Sequence, residues 1–243
     1  MVSIEQIRHN ILQVQETIAQ AAGRAGRTPA SVKLVVVTKS HPAEAAKAAI
    51  ESGANILGEN YAEEGVEKIR TIGEIPGVEW HMIGHVQSRK ADIIVKRFAL
   101  IHSLDSYKLG ERINRAAEAM HWTQPVLIQV NVSGEESKFG YPAWQDDQIP
   151  ALIAEIAKVK ALLSLEIQGL MTVPPFSENG ENSRSFFRLL RGIRDQLSSE
   201  CPSANWNELS MGMSADYKIA VEEGATLVRI GTAILGERDY SKG

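Results

Sequence analysis

Short apolar runs alternate with helical segments along almost the whole chain. The runs are rich in Val, Ile and Leu, and we count about eight of them: VKLVVVT, ANILG, VEWHMIG, ALIHSL, PVLIQVNV, SLEIQGLMT, NELSMG and TLVRIG. They are separated by stretches such as PAEAAKAAIESG and NSRSFFRLLRGIRDQL, which have helical spacing. Strand–helix alternation of this kind predicts a parallel sheet, because a parallel strand needs a crossover connection before the next strand.

Two architectures suit such a chain, an open doubly wound sheet and a closed eight-stranded barrel. TKSHP follows the first strand, where a dinucleotide-binding sheet would have a Gly-rich loop, and eight units in 243 residues favour the barrel. The chain opens with a helix, with Ser3 and Gln6 at capping-box spacing, and ends just after the last apolar run. We therefore predict an α/β fold, a single (β/α)8 TIM-barrel domain over residues 1–243 whose extra N-terminal helix replaces a missing last helix.

Composition excludes several classes of protein. With 44 % hydrophobic and 23 % charged residues and a formal charge of −4, the chain is globular and lacks the basic character of a sequence-independent nucleic-acid binder. It contains no apolar run of about 18 residues, and charged residues interrupt the apolar N-terminus, so we predict neither a membrane span nor a signal peptide. The one cysteine, Cys201, cannot form an internal disulfide. We expect a cytoplasmic protein.

Polar and small residues recur where the predicted strands end, and in such barrels the active site lies at the carboxyl ends of the strands. The last two strands lead into LSMGMSADYKIA and VRIGTAI. These segments hold residue types that suit a phosphate cradle at a helix N-terminus: Ser210, Gly212, Ser214, Gly231 and Thr232. The alternative is ordinary turn glycines, with Ser214 as the cap of the helix that begins in ADYKIAVEEG.

Two cations stand near strand ends. Arg229 lies in an apolar run and needs a partner, either a carboxylate such as Glu208 or a ligand atom. Lys39 shares a strand face with Val35 and Val37, and an apolar barrel mouth would favour its neutral, nucleophilic amine. A phosphate cradle and a carbonyl-seeking lysine suit either pyridoxal phosphate or a sugar-phosphate aldolase substrate. The remaining alternative is a snorkelling lysine with no ligand.

Other candidates carry weaker signals. Asn60 could cap a helix or meet a ligand oxygen. His81 and His85 form an HxxxH, but on a strand they lie roughly 13 Å apart, so we predict no metal site. Lys138 and Tyr141 belong to a long loop, SGEESKFGYPAW, from which they could reach a ligand.

Six segments resemble one family, in order and over essentially the whole chain: VVVTKSHP, LGENYAEEGVEKI, EWHMIGHVQSRK, VNVSGEESKFG, GLMTVP and LSMGMSADYKIAVEEGATLVRIGTAILGERDYSKG. They are similar to the pyridoxal-phosphate homeostasis proteins, the YggS/PROSC-type group. The resemblance implies a barrel like the N-terminal domain of alanine racemase, with pyridoxal 5'-phosphate (PLP) on the lysine after the first strand. It also implies a role in keeping the free cofactor at safe levels.

The resemblance further implies residue roles. Lys39 would form the Schiff base with PLP, and Arg229 would face the pyridine nitrogen. The phosphate would be held by Ser210, Ser214, Gly231 and Thr232. The ring would be lined by Asn60, with His81 and Met211 close by.

An arginine at the ring nitrogen has a mechanistic consequence. It cannot protonate that nitrogen, so the ring withdraws electrons poorly and transamination-type chemistry is disfavoured. Racemases supply a second base from an additional domain, and we expect none here because the sequence ends eleven residues after Thr232.

The sequence therefore predicts a reversible PLP carrier or buffer in intracellular PLP homeostasis. Such a carrier would affect amino-acid and keto-acid balance, with no catalytic residue and with PLP-dependent apoenzymes as possible recipients. We expect a monomer or weak dimer. The alternatives are a weak amino-acid racemase or Schiff-base lyase, and a regulatory protein whose partner reads the PLP-loaded state.

Overall fold

The computed structural model describes residues 2–237, so the end of the last quoted motif, residues 238–243, lies outside it. The strands are β1 (Lys33–Val37), β2 (Ile56–Glu59), β3 (Glu79–Met82), β4 (Leu100–Leu104), β5 (Gln124–Asn131), β6 (Tyr141–Pro142), β7 (Leu165–Met171), β8 (Glu208–Ser210) and β9 (Leu227–Ile230). The α-helices are α1 (Ile4–Arg24), α2 (Ala43–Glu51), α3 (Ala62–Ile72), α4 (Ala91–Ile94), α5 (Tyr107–Ala119), α6 (Ile149–Lys160), α7 (Arg184–Glu200), α8 (Tyr217–Glu222) and α9 (Thr232–Leu235).

Eight of the strands close into a ring in which every neighbouring pair is parallel. The order is β1, β2, β3, β4, β5, β7, β8, β9 and back to β1. The remaining strand, β6, has two residues and pairs only with β5. The predicted closed barrel is therefore confirmed, and all eight predicted strands are present.

Side chains alternate between the inside and the outside of the barrel. A small apolar cluster, Val35, Leu100, Leu127, Met171 and Leu227, fills its interior. The larger core lies between the outer face of the sheet and the helices. Because the interior cluster is small, polar side chains share the inside of the barrel with it.

Helix α1 closes the outer layer. The hydroxyl of Ser3 accepts a hydrogen bond from the Gln6 N–H at 3.2 Å, as the capping-box spacing predicts. The buried face of α1 packs against α2, α8 and α9. Asn10 ties α1 to the one-turn helix α9, because its amide donates to the Ile234 carbonyl at 2.9 Å. The N-terminal helix thus takes the place of a full last helix, as predicted.

Among residues 2–237, no helix combines the length and apolar character needed to cross a bilayer.

Candidate ligand site at the carboxyl end of the barrel

A cavity of about 530 Å³ opens at the carboxyl end of the barrel. Six residues that the sequence singled out line it: Lys39, Asn60, Ser214, Arg229, Gly231 and Thr232. They come from the ends of β1, β2 and β9 and from the loop after β8. The strands β2, β1, β9 and β8 are parallel neighbours in the barrel, so their carboxyl ends bring these residues together from distant parts of the sequence.

A buried ion cluster fixes the backbone on the near side of Lys39. The ammonium of Lys68, on α3, donates to the Thr38 carbonyl at 2.6 Å and to Glu59 Oε1 at 2.7 Å. The Thr38 hydroxyl also donates to Glu59 Oε1, at 2.5 Å. Burial raises the pKa of Glu59, against the opposing effect of the Lys68 ammonium. The carbonyl and the hydroxyl of the residue before Lys39 are thus both held.

The same cluster also fixes the far side of Lys39. The third hydrogen bond of the Lys68 ammonium goes to Glu64 Oε1 at 2.6 Å, and that oxygen accepts from the Ser40 N–H at 2.6 Å. Ser40 has φ +60°, a left-handed conformation that is uncommon outside glycine. Lys39 therefore leaves β1 on a backbone that is held on both sides.

Arg229 is buried, at 4 % exposure, and faces the barrel interior. Its guanidinium donates to Ser210 Oγ at 2.5 Å and to the Thr172 carbonyl at 2.9 Å, and both partners are uncharged. Burial lowers the pKa of Arg229 to about 10, so it stays a cation at neutral pH. The carboxylate partner considered from the sequence is wrong, because Glu208 pairs with Lys33 at 2.6 Å instead.

The loop after β8 meets the start of α9. Gly231 precedes the first turn of α9, and the Ala233 N–H donates to Ser214 Oγ at 3.4 Å. First-turn N–H groups have no acceptor within their own helix. A Cβ at Gly231 would come within 3.3 Å of the Val37 carbonyl oxygen and of its Cβ. Ser214, Gly231 and Thr232 therefore form a closely packed polar wall of the cavity.

Ser214 does not cap the following helix, so that alternative is wrong. Helix α8 begins at Tyr217 with Asp216 in the capping position, and the Asp216 carboxylate accepts from the Met213 N–H at 2.7 Å. The turn before it depends on Gly212, whose φ is +91° and where a Cβ would lie 2.5 Å from the Ala220 Cβ. This turn brings Ser214 over the barrel mouth.

Three of the nine residues to which the resemblance gives a role do not line the cavity. Met211 is fully buried in the core outside the barrel, because it directly follows Ser210, the inward-facing last residue of β8. Ser210 lies behind Arg229 and accepts its hydrogen bond. His81, at 3 % exposure, lies deeper in the barrel and contacts His102.

A second cavity of about 530 Å³ adjoins the first and shares Asn60 with it. Lys138 and His85 line this second cavity. The His85 ring stacks on Phe139 with centroids 3.9 Å apart, and His85 Nδ1 lies 2.7 Å from Asp105 Oδ2.

Tyr141 is buried, and burial raises the pKa of its hydroxyl. Within residues 2–237 no three His, Cys, Asp or Glu side chains are grouped to hold a metal ion.

Sequence reasoning missed Lys68 and His102. Lys68 belongs to the buried face of an otherwise amphipathic helix, and the matching signal is the buried acid Glu59 at the end of β2. His102 stands in the middle of the apolar run ALIHSL, where a histidine inside the barrel needs a polar partner.

The sequence matches the model of the alanine racemase N-terminal domain over residues 2–239. It is 39 % identical over 242 residues to the pyridoxal phosphate homeostasis protein of Escherichia coli K12, covering 97 % of this chain and 98 % of that one. It is 40 % identical over 228 residues to the protein of the same name from Aquifex aeolicus, with 94 % and 96 % covered.

Solved structures agree with this relationship. PipY of Synechococcus elongatus PCC7942, with PLP bound, superposes with a TM-score of 0.77 at 34 % identity, covering 90 % of this chain and all of that one. The alanine racemase of Clostridium difficile 630 in complex with cycloserine superposes with a TM-score of 0.74 at 15 % identity. That match covers 96 % of this chain and 60 % of the racemase, and it shows the shared barrel fold alone. The chain belongs to the family of pyridoxal phosphate homeostasis proteins, built on the barrel of the alanine racemase N-terminal domain.

Proposed function

We propose that the protein binds PLP reversibly in the cavity at the carboxyl end of the barrel and acts in PLP homeostasis. The observation that carries this proposal is the meeting of an amine, Lys39, and a buried guanidinium, Arg229, in one cavity with the polar wall of Ser214, Gly231 and Thr232. The names of the relatives and the PLP bound to PipY support the same ligand.

The residues present suit the chemical groups of PLP. Its phosphate is matched by the hydroxyls of Ser214 and Thr232 and by the N–H groups at the start of α9. Its aldehyde is matched by the Lys39 amine. Both hydrogen-bond partners of Arg229 among residues 2–237 are uncharged, so a ligand that brings negative charge or an acceptor atom stabilises it.

Lys39 is the proposed point of covalent attachment. Its nitrogen joins the aldehyde carbon, and the aldehyde oxygen leaves as water with two protons from the amine. Bound PLP supplies a ring that withdraws electrons from the attached carbon. We assign Arg229 to the ring nitrogen, where its N–H donates a hydrogen bond but does not transfer its proton. This arrangement favours storage of PLP over turnover of an amino acid.

The attachment is tested by loading the purified protein with PLP, reducing it with borohydride and mapping the labelled peptide. We expect the label on Lys39, and Lys39→Ala should stay unlabelled and colourless. Lys138→Ala is the matched control, because Lys138 lines the adjoining cavity, and it should label like the wild type. A wild-type protein that stays colourless with PLP would overturn the proposed function, and a label on a lysine other than Lys39 would overturn the attachment. Steady racemisation or lyase turnover that is lost in Lys39→Ala would favour an enzyme.

A further inference from the structure

A chain of polar side chains crosses the interior of the barrel. Glu79 Oε2 lies 3.3 Å from His81 Nε2, and His81 Nδ1 lies 2.9 Å from His102 Nε2. His102 Nδ1 lies 2.8 Å from Ser210 Oγ, which accepts from Arg229 Nη1 at 2.5 Å. Four strands, β3, β4, β8 and β9, contribute to one unbroken line of hydrogen bonds.

The two ends of the chain lie at opposite ends of the barrel. The Glu79 side chain is 58 % exposed at the start of β3, beside the end where Lys33 pairs with Glu208. Arg229 lines the cavity at the carboxyl end. The groups between them are buried, and His102 is fully so. This row of hydrogen-bonded side chains therefore connects an exposed carboxylate to the proposed PLP site through the centre of the protein.

The end at Arg229 fixes the direction of these hydrogen bonds. A guanidinium only donates, so Ser210 Oγ accepts from Arg229 and directs its own O–H to His102 Nδ1. His102 then carries its proton on Nε2 and donates to His81 Nδ1. His81 in turn carries its proton on Nε2 and donates to Glu79 Oε2.

The reverse direction fails at both ends. If His102 donated from Nδ1, the buried Ser210 hydroxyl would have no acceptor among these side chains. At the other end, His81 Nε2 would turn a lone pair toward the Glu79 carboxylate. Burial lowers the pKa of both histidines, most strongly that of His102, which lies close to the Arg229 cation. Hydrogen bonding from His81 lowers the pKa of Glu79, so its carboxylate remains an acceptor.

We propose that His102, acting through Ser210, is a positioning residue for Arg229, and that the chain holds His81 and His102 as neutral tautomers protonated on Nε2. A serine hydroxyl rotates freely, and the acceptor at His102 Nδ1 turns its proton away from Arg229. The lone pair of Ser210 then faces the guanidinium. Without His102, the Ser210 proton loses its acceptor at Nδ1, so the lone pair of Ser210 is no longer held toward the guanidinium.

The first test needs no PLP. Nitrogen-15 NMR of the histidine rings in the wild-type protein at neutral pH reports which ring nitrogen carries the proton, and His102→Asn identifies the His102 signals by their loss. We expect both His81 and His102 to show a proton on Nε2 and none on Nδ1. A proton on His102 Nδ1, or a doubly protonated ring, would overturn the proposed chain.

The second test rests on the proposed function and measures PLP affinity by absorbance titration. His102→Leu removes the acceptor for Ser210 and should weaken PLP binding about tenfold, the effect of one hydrogen bond to a charged group. His102→Asn keeps an oxygen near the Nδ1 position and should bind within about threefold of the wild type. Leu100→Ala, an interior change on the same strand, is the control for loosened packing and should bind like the wild type.

The outcomes of the two tests separate the two proposals. Wild-type affinity in His102→Leu, or an equal loss in Leu100→Ala, contradicts a positioning role for His102. If His102→Leu does not fold, a loss of affinity in His102→Asn comparable to that of Arg229→Gln contradicts the role instead. If the wild type binds no PLP, the proposed function fails. The tautomer measurement still decides whether the hydrogen bonds from Ser210 to Glu79 run in the proposed direction.

Discussion

Arg229 holds a positive charge in the centre of the barrel beside partners that are both neutral. Desolvation of a buried cation is costly, and its effect is visible in the lowered pKa of this arginine, about 10. Arg229 lies opposite Val35 in the pairing of β9 with β1, so its neighbour on that side is apolar. The Asp216 carboxylate opposes the lowering of the Arg229 pKa only in part, so an anionic ligand at the mouth would further stabilise this cation.

Arg229→Gln tests that role. We expect PLP affinity to fall about tenfold or more, because a charged hydrogen-bond donor is lost. The free energy of unfolding should change by less than about 1 kcal/mol, since the loss of two hydrogen bonds is offset by relief of the desolvation cost. Urea unfolding and PLP titration measure the two effects. Lys33→Gln is the control, because Lys33 is an exposed cation at the opposite end of the barrel. Unchanged PLP retention in Arg229→Gln would show that Arg229 serves structure alone.

Single residues were predictable where strand alternation alone decides their direction. Lys39 and Arg229 are two such residues, because Lys39 lies just after a clear apolar run and Arg229 lies near the end of another. His102 was not, because its contact with His81 depends on the register between β3 and β4, where His81 lies opposite Leu100. That register is set by the closure of the whole barrel, which the sequence of either strand does not contain.

At the scale of elements, α1 has the clearest structural task. Its buried stripe packs on α2, α8 and α9 and so covers the place where β9 meets β1. Ile11 is 2 % exposed in this stripe, whereas its neighbour Leu12 is 59 % exposed on the opposite face. The two residues have the same number of side-chain atoms, so they provide a matched pair.

Ile11→Ala should destabilise the protein by about 2–5 kcal/mol, the usual cost of removing a large aliphatic side chain from a core. Leu12→Ala should change the free energy of unfolding by less than about 0.5 kcal/mol, because its side chain is mostly in water. Urea unfolding of both variants measures the difference. Equal effects would mean that α1 does not stabilise the barrel through this face.

Helices and strands were predicted correctly where a segment is long enough to show the spacing of apolar residues typical of a helix or a strand. The eight barrel strands and α1 are of this kind. The two-residue strand β6 and the four-residue helices α4 and α9 are too short to show a period. The start of α8 was predicted too early, because Ser214 and Asp216 are both good capping residues and only the turn at Gly212 decides between them.

At the scale of the whole molecule, the buried histidines couple folding to pH. Burial holds the pKa of His81 and His102 below the value of about 6.5 expected in an unfolded chain. Glu79 and Glu208 oppose this shift at His81, whereas Lys33 adds to it. At His102, the charges of His81 and Arg229 both add to it. Below about pH 6.5 the unfolded state therefore binds more protons, so stability is lost as pH falls.

The coupling is measured by urea unfolding from about pH 7.5 to about pH 5.5. Removing one titrating group in His102→Asn should flatten the pH dependence by up to about 1.4 kcal/mol per pH unit below pH 6.5. Leu100→Ala changes no titrating group, so its difference from the wild type should stay constant. Parallel curves for wild type and His102→Asn would mean that His102 titrates alike in the folded and unfolded states.

The cluster around Lys68 also determines how the site meets its ligand. The backbone before and after Lys39 is tied down by charged hydrogen bonds to a strand end and to a helix. Any movement of the Lys39 amine must then come from rotation about its own side-chain bonds. Capturing a ligand therefore avoids the entropy cost of ordering a loop. Pre-organisation of this kind removes an entropic cost of binding, and it therefore strengthens the binding of PLP in the proposed carrier.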